Sequence, residues 1–443
     1  MMNLSFNPNV PTALDMFWEQ LAGDEIERLN KYKRGWLYYY GQHDAQLKVK
    51  PGQPDDNVIL NLAQYAVDLG VDFLFGQPVT FELQEGETTP AEEALAQVWK
   101  ANKQMTTLQK LALNGGVCGH CFVKIVPNGL PAHGETPALP RLVVLDPAIV
   151  RPQWDSDDIE KVLWYKIEFA SVDARGKEVF KRQMITRQEN DTWLVQDYIS
   201  YFRPRWQQVG SDQVWPYPWP PIVDCQNLPA PNEYFGLSDL ENLGLNDNVN
   251  FLASNILRIT RYHAHPQTWG TGFKADDLKV GPSDMVILPQ EATLANLEMQ
   301  SDLTAARAFL NDMVSWFLRI CRIPDLDPAK VNVGALSGFA LKILYHDLID
   351  KTETKRRLYG DMLVELNRRL LEMLGHGSEN EVKIHWPQPL PESAKELAET
   401  GKLELDMGIV SRQTIAKKAG YDWETEQARR KEEAEQERQI APP

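Results

Sequence analysis

Two cysteines of this chain stand at the spacing that thiol–disulfide chemistry uses. The segment Cys118–Cys121 reads C-G-H-C, and such a pair exchanges disulfides when a helix N-terminus or a nearby cation stabilises one thiolate. Here Val117 precedes the segment and the strand-like sequence FVKIV follows it, so a helix start is not expected. A thiol–disulfide oxidoreductase stays an alternative, and we favour small buried cysteines in a strand.

A second candidate for chemistry lies near the C-terminus. The stretch GIVSRQTIAKKAG at 408–420 resembles the turn and second helix of a helix-turn-helix, with Ser411 as the N-cap. In a DNA-binding regulator Arg412, Gln413 and Lys417 would enter the major groove. Acidic sequence flanks the stretch, and its glycine is one residue out of the usual register. We therefore favour a plain helix pair and keep the regulator as an alternative.

The remaining candidate catalytic and ligand-binding residues are isolated. His263 and His265 have no third metal ligand at a suitable spacing, and a helix end accounts for them. The chain has no G-x-x-x-x-G-K-[ST] segment for phosphates, and Ser337 lacks the G-x-S-x-G context of a nucleophile, so a helix cap is its expected role. We predict no metal, no cofactor and no enzymatic activity.

The overall composition limits the class of protein. The chain has 443 residues, with 46 Lys and Arg against 62 Asp and Glu, and a formal charge of −16. A generally basic nucleic-acid binder is disfavoured, because cationic side chains supply most of such binding. Four scattered cysteines indicate a reducing intracellular setting. Neither a signal peptide nor a membrane-spanning segment is expected.

The first half of the chain predicts helices followed by an antiparallel sheet. Asn57 is the expected cap of a helix that ends at Gly76, and two more helices are expected at 90–101 and 104–114 before the period changes at Gly115. From there to about residue 225 short segments rich in β-branched and aromatic residues predict strands. These segments are FVKIV, RLVVL, KVLWYKIEF, VFKRQMIT and TWLVQDYI, and PVTFEL and VKIHW predict two further strands elsewhere.

The second half predicts long helices. Ser238 and Glu241 form a capping box that opens a helix over 237–264. A segment with the strand-like pieces MVIL and TLANLEM separates it from a second helix over 302–323. The second helix carries a heptad stripe too narrow to bury both of its faces, made of Leu303, Ala306, Leu310, Met313, Phe317 and Ile320. A helical pattern from Ser337 to Leu374, ended by Gly375, is long enough that the helix is expected to kink or to span the whole body.

Four segments, in this order, resemble the siphovirus-type portal proteins of tailed double-stranded DNA bacteriophages. They are KYKRGWLYYYGQH (31–43), NLAQYAVDLGVDFLFGQPVTF (61–81), FGLSDLENLGLNDNVNFLASN (235–255) and LSGFALKILYHDLIDK (336–351). The family has an aromatic-glycine element, a helix ending in G-x-P-V, a G-x-S-D-L helix start and an S-G-x-A-L-K helix start. The similarity runs from about residue 30 to 430, and four unrelated motifs at the expected spacing make it specific.

The resemblance implies an α+β portal fold with seven regions. A mixed α/β wing, a stem of long helices, a small β clip, a tunnel loop, a tunnel helix and an α-helical crown are expected. Their ranges are 1–235 for the wing, 236–264 and 302–323 for the two stem helices, 265–301 for the clip, 324–336 for the tunnel loop, 337–390 for the tunnel helix and a return strand, and 391–443 for the crown and tail.

The resemblance also implies the function. A ring of about twelve subunits would surround a channel at one capsid vertex, through which double-stranded DNA passes without sequence specificity. Expected partners are the terminase large subunit, a head–tail adaptor, and the major capsid and scaffolding proteins, with no membrane. The location would be the virion, after assembly in the host cytoplasm. DNA-facing candidates are Asp325, Asp327, Lys330, Asn332, Val333 and Lys342.

The acidity then predicts how DNA is handled. Twelve subunits of −16 each would carry a formal −192. An acidic wall repels phosphates, so DNA would be contacted without being held tightly. We expect salt-sensitive assembly and few basic positions in the channel.

Overall fold

A computed structural model of the chain describes most of its residues. The described residues are 23–44, 46–49, 52, 55–83, 89–127, 139–202, 205–264, 268–272, 291–296, 303–325, 338–377, 381–390 and 394–440. They form two compact units, one within Met1–Asp325 and Asp347–Pro387, the other within Leu326–His346 and Gln388–Pro443. No helix among these residues has the length and apolar character needed to cross a lipid bilayer.

Helices lie on both sides of a central block of strands in the chain order. The first four are α1 (Gly23–Tyr39), α2 (Leu62–Phe75), α3 (Pro90–Ala101) and α4 (Gln104–Cys118). After the strands come α5 (Leu243–Ala264), α6 (Thr304–Ile320), α7 (Gly338–Leu344) and α8 (His346–Met373). The second unit also contains α9 (Ala394–Asp406), α10 (Arg412–Lys418) and α11 (Trp423–Ile440).

All of the described strands pair antiparallel. A three-stranded sheet has the order β3-β2-β9, and a five-stranded sheet has the order β4-β5-β6-β7-β8. Two more pairs join β1 with β12 and β10 with β11. The bounds are β1 Thr80–Glu82, β2 His120–Val126, β3 Arg141–Leu145, β4 Val150–Trp154, β5 Val162–Val172, β6 Glu178–Arg187, β7 Trp193–Phe202, β8 Arg205–Trp215, β9 Ile222–Gln226, β10 Thr268–Thr271, β11 Thr293–Asn296 and β12 Lys383–His385.

The mixed α+β class predicted from the sequence is confirmed, as are the strands within FVKIV, RLVVL, KVLWYKIEF, VFKRQMIT, TWLVQDYI, PVTFEL and VKIHW. Strand TLAN is also present, whereas MVIL lies outside the described residues. The long helical pattern is interrupted at Tyr345 and ends before Gly375, as expected. Gly375 adopts φ +82°, and His376 donates to the Leu371 carbonyl, which closes the helix end.

Four predicted helix bounds were wrong, one of them the end of the helix expected over 302–323, since α6 ends at Ile320. Helix α2 starts at Leu62 with Asn61 as its cap, and residues 58–61 before it have no regular secondary structure. Helix α4 continues through Gly115 to Cys118. The capping box at Ser238 is formed, since Ser238 N–H donates to Glu241 Oε1 at 3.1 Å, but it closes a turn and α5 begins only at Leu243.

One large core joins the helices of the first unit to its sheets. It includes the buried side chains of Trp99, Phe122, Tyr359 and Leu366, from α3, β2 and α8. Inside it, Trp99 Nε1 donates to Asn367 Oδ1 at 2.8 Å, so the one polar atom of this ring is paired. Helix α8 is therefore a central element of the first unit.

The junction between α4 and β2 depends on Gly119. This residue has φ +84°, and a Cβ added there would lie 2.3 Å from the carbonyl oxygen of Gly236 and 2.9 Å from Ser238 N. The glycine of the C-G-H-C segment thus allows two backbone segments to cross closely.

We expect Gly119→Ala to lower the free energy of unfolding by about 2–4 kcal/mol, from left-handed strain and overpacking together. Gly176→Ala is a matched control, because Gly176 has φ +77° but nothing within 4 Å of an added Cβ. The control should lose only the strain contribution of about 1–2 kcal/mol. Urea unfolding of both variants measures the difference, and equal losses would contradict a clash at Gly119.

Candidate functional site

The candidate site consists of the helices α5 and α6 and of the strand pair β10–β11, which lies between them in the chain. Strands β10 and β11 pair in register from Thr268 opposite Asn296 to Thr271 opposite Thr293. The hydroxyl groups of Thr271 and Thr293 are 2.7 Å apart. The chain thus leaves α5, forms a short antiparallel pair and returns into α6.

One face of α6 packs within the subunit. Of the predicted stripe, Met313 and Phe317 are buried, while Leu303, Ala306 and Leu310 are half-buried. Phe317 joins a small core with Ala66 of α2, to which Leu318, Cys321 and Ile323 also belong. The C-terminal half of α6 is thereby attached to α2.

A second apolar stripe of α6 is only about half covered by the described residues. Phe309, Trp316 and Ile320 are 49%, 47% and 52% exposed. Their spacing of seven and four residues places them on one stripe, and the rings of Phe309 and Trp316 meet edge to face at 5.9 Å. Ile320, which the sequence assigned to the packed stripe, lies on this exposed one.

A polar stripe on α5 binds residues 58–60, which have no regular secondary structure. Asn246, Asn250 and Ser254 are fully or almost fully buried and recur every four residues, on one helix face. Asn250 Oδ1 accepts from Leu60 N at 2.8 Å, and Ser254 Oγ accepts from Val58 N at 2.8 Å. These amide and hydroxyl groups thus satisfy backbone groups of Val58 and Leu60 that no helix pairs.

The early aromatic segment also binds α5. Tyr38 Oη donates to Asp247 Oδ1 at 2.6 Å, and Arg34 lies 3.1 Å from the other oxygen of that carboxylate. The imidazole of His43 is 2.8 Å from the amide nitrogen of Asn250. Helix α5 is thus held along its length by side chains from the first 61 residues.

A buried ionic cluster connects α8 to the turn before α5. Lys355 Nζ donates to Asp239 Oδ2 at 2.6 Å, and Lys351 Nζ lies 2.9 Å from Asp239 Oδ1. Lys351 also donates to the carbonyl of Cys321 at 3.4 Å, just after α6. One carboxylate and two ammonium groups therefore tie together the start of α5, the end of α6 and α8.

Two small residues make room for this cluster. A Cβ at Gly116 would lie 3.1 Å from Asp239 Oδ2, and one at Gly70 would lie 3.3 Å from Lys355 Nζ. Asp239, Gly70 and Lys351 belong to three of the four segments that carried the sequence resemblance. The structure brings those segments together at one buried charge.

The charge balance of the cluster perturbs its titration. Burial alone would raise the pKa of Asp239, but Lys355 and Lys351 outweigh it, and the pKa lies below its usual value. Burial lowers the pKa of Lys355, and Asp239 only partly opposes that effect. The ionised carboxylate is accordingly the form that the folded state stabilises.

We expect the stability advantage of Asp239 over asparagine to depend on pH. A carboxylate with a lowered folded pKa contributes stability above its unfolded pKa of about 3.9, and the contribution is lost as pH falls through the folded value. The difference in unfolding free energy between wild type and Asp239→Asn should be largest near neutral pH and shrink below about pH 4. Urea titrations at several pH values measure it, and a constant difference would contradict the assignment.

The predicted DNA-facing residues are only partly described. Asp325 is exposed and accepts a hydrogen bond from Ser315 Oγ of α6. Lys342 is exposed on α7. Asp327, Lys330, Asn332 and Val333 lie outside the described residues, as does Ser337.

The C-G-H-C segment does not have the geometry of a redox site. Cys118 is the last residue of α4, not the first residue of a helix, and a helix C-terminus disfavours a thiolate. Burial, with a smaller contribution from Asp146, raises the pKa of the Cys118 thiol well above its usual value. Cys121 lies on β2 and faces a different core. The oxidoreductase interpretation is therefore abandoned.

The structure also shows no DNA-reading helix-turn-helix and no metal site at the other residues that the sequence suggested, as far as these residues are described. Ser411 caps α10 as predicted, since its Oγ accepts from Thr414 N at 3.2 Å, but α10 has only seven residues. Among the described residues no group of three His, Cys, Asp or Glu side chains has the arrangement of a metal site. The side chain of His263 and all of His265 lie outside the described part of the chain.

Comparison with known proteins gave one family over almost the whole sequence. Residues 19–439 match the family described as phage portal protein, SPP1 Gp6-like. The matched range includes 408–420, the stretch that suggested a helix-turn-helix. No curated protein sequence matched the chain.

Two solved structures resemble the fold at low sequence identity. One is described as the virion of a native gene transfer agent (GTA) particle, with 12% identity, a TM-score of 0.45, and coverage of 92% of this chain and 98% of that chain. The other is described as the neck of an empty GTA particle computed with C6 symmetry, with 12% identity, a TM-score of 0.46, and coverage of 82% and 90%.

Proposed function

Because this chain belongs to the phage portal proteins of the SPP1 Gp6-like family, we propose that it forms a ring-shaped channel for double-stranded DNA at a capsid vertex. DNA would enter through the ring during packaging and leave through it on ejection. The role is structural, and the chain would hydrolyse nothing itself. The ring would dock the terminase large subunit first and a head–tail adaptor later.

The observation that carries this proposal is the second apolar stripe of α6. In the monomer Phe309, Trp316 and Ile320 lie on one stripe, and its own described residues leave about half of each side chain exposed. A neighbouring copy related by rotation covers the same stripe on every subunit, and a closed ring leaves none of them exposed. The heptad pattern predicted a stripe too narrow to bury both faces of this helix, and the exposed stripe is the surface that a neighbouring copy would cover.

The regional assignments are proposals that the resemblance to the family implies. Residues 1–235 would be the wing, and 236–264 and 302–323, which contain α5 and α6, would be the stem. Residues 265–301 would be the clip that docks partners, and 391–443 the crown and tail. Residues 324–336 would be the tunnel loop and 337–390 would contain the tunnel helix. Within this arrangement Asp325, Asp327, Lys330, Asn332, Val333 and Lys342 are the residues proposed to face DNA.

Electron microscopy of the purified 443-residue chain tests the proposal. Rings with a central channel, of about twelve subunits, are the expected particles. Their yield should change with salt, because each subunit carries a formal charge of −16. A chain that remains monomeric at every salt concentration and at high protein concentration would contradict a portal ring.

A further inference from the structure

Cys121, the second cysteine of the C-x-x-C segment, lies beside Cys225 in the three-stranded sheet, and not beside Cys118. Cys121 on β2 is directly opposite Cys225 on β9 in the antiparallel register. Their sulfur atoms are 3.5 Å apart, although 104 residues separate them in the chain. Directly opposed residues on antiparallel strands have Cα atoms about 4.5–5.5 Å apart, within the range that a disulfide spans.

We propose that Cys121 and Cys225 are a disulfide-forming pair that closes when a small-molecule disulfide reaches Cys225. Closing requires the sulfur atoms to approach by about 1.5 Å, from 3.5 Å to the S–S bond length of about 2.05 Å. Side-chain rotation supplies such a movement without a shift of either strand. In the structure all four cysteines are free thiols.

A cavity gives the oxidant a route to one member of the pair. Cys225 is partly exposed and lines a cavity of about 820 Å³, together with His120, Asp224 and Tyr234. Cys121 is fully buried and also contacts the sulfur of Met362 on α8 at 3.9 Å. Cys225 is therefore the thiol that reacts first, and Cys121 is the one that resolves.

The chemistry is a double thiol–disulfide exchange. The Cys225 thiolate attacks one sulfur of the small disulfide, which forms a mixed disulfide and releases one small thiolate. The Cys121 thiolate then attacks the Cys225 sulfur, the S–S bond forms between the two cysteines, and the second small thiolate leaves. The two protons lost by the cysteines are taken up by the two leaving thiolates. Burial raises the pKa of Cys225 well above its usual value, so little of it is thiolate at neutral pH and the exchange is slow.

The position of the pair gives the bond a structural effect. Strands β3 to β8 lie between the two cysteines in the chain, so the whole five-stranded sheet belongs to the segment that connects β2 to β9. A disulfide between the two cysteines would join the two ends of that segment. Closing so long a loop restricts the unfolded chain strongly in the loop-entropy account.

The test treats the folded full-length chain with oxidised glutathione and then counts free thiols after denaturation and alkylation. The wild type should fall from four thiols to two, with a peptide that links residues 121 and 225 and a higher urea midpoint. Cys225→Ser should lose none of its three. Cys118→Ser, which removes a buried thiol from a different core, should still fall from three to one.

Three results would overturn the pair. They are four free thiols after prolonged oxidation, a glutathione adduct on Cys225 that never resolves, and a linked peptide joining any other two cysteines. The thiol count does not require rings to form, so its failure and a failure of the portal assignment are distinguishable.

Discussion

Asp239→Asn should lower the free energy of unfolding by about 3–5 kcal/mol, the usual cost of removing one partner of a buried ion pair. The substitution keeps the shape of the side chain but removes the only carboxylate that the two lysines share in the described contacts. Lys351 and Lys355 are 8% and 3% exposed, so water cannot replace the lost charge. A urea titration followed by tryptophan fluorescence, at fixed protein concentration, measures the loss.

An exposed aspartate provides the matched control. Asp191 pairs with Arg187 at 2.7 Å, but its side chain is 69% exposed. Its φ of +59° suits asparagine as well as aspartate. Asp191→Asn should therefore change the unfolding free energy by less than about 0.5 kcal/mol.

A second substitution separates lost pairing from lost packing. Adding Lys355→Met to Asp239→Asn removes one of the two stranded charges, so the double variant should be more stable than the sum of the single losses predicts. Additive losses, or a loss for Asp239→Asn no larger than that of the Asp191 control, would show that the cluster is not the connection between α5, α6 and α8.

The sequence predicted those strands that are both rich in β-branched and aromatic residues and buried at several positions. Strands β2, β5 and β7 are rich in β-branched and aromatic residues and contain buried positions. Strand β8 was missed because it is an edge strand that is exposed at almost every position, and its sequence RWQQVGSDQVW has no apolar face. Nothing in its local sequence distinguishes it from a loop.

Two glycines that predicted the end of a helix instead allow close contacts inside it. Gly115 and Gly116 suggested that α4 stops, yet both are inside the helix. A Cβ at Gly115 would lie 1.9 Å from Tyr359 Oη, and one at Gly116 would lie 3.0 Å from Val67 Cγ1. These neighbours are remote in the sequence, so the reason for the glycines becomes visible only in the folded chain.

The contacts that hold α5 and α6 in place also could not be predicted from the local sequence. Asp239 and Lys355 are 116 positions apart, and no periodicity relates them. Asn246, Asn250 and Ser254 have the spacing of a helix face, but polar residues at such spacing are usually solvated. Their burial follows from residues 58–61, which use them as hydrogen-bond partners in place of a helix.

Ring assembly should depend on the exposed stripe of α6. We expect the double substitution Phe309→Glu and Trp316→Glu to abolish rings and leave a folded monomer. Each side chain is already about half covered, so its remaining burial in a ring is worth about 1–1.5 kcal/mol. Placing a carboxylate in that contact adds a desolvation cost of several kcal/mol, and the penalty recurs at every interface of the ring.

Asn311→Glu is the control for charge on the same helix. At 100° per residue Asn311 lies about 160° around α6 from Phe309, and it is exposed. It adds one negative charge without touching the stripe, so rings should persist. Mass photometry measures the assembly, and circular dichroism with a urea midpoint verifies that the double variant is folded. Rings that survive the double substitution would place the subunit contact elsewhere, whereas their loss in both variants would point to charge alone, because either substitution adds to a chain that is already at −16.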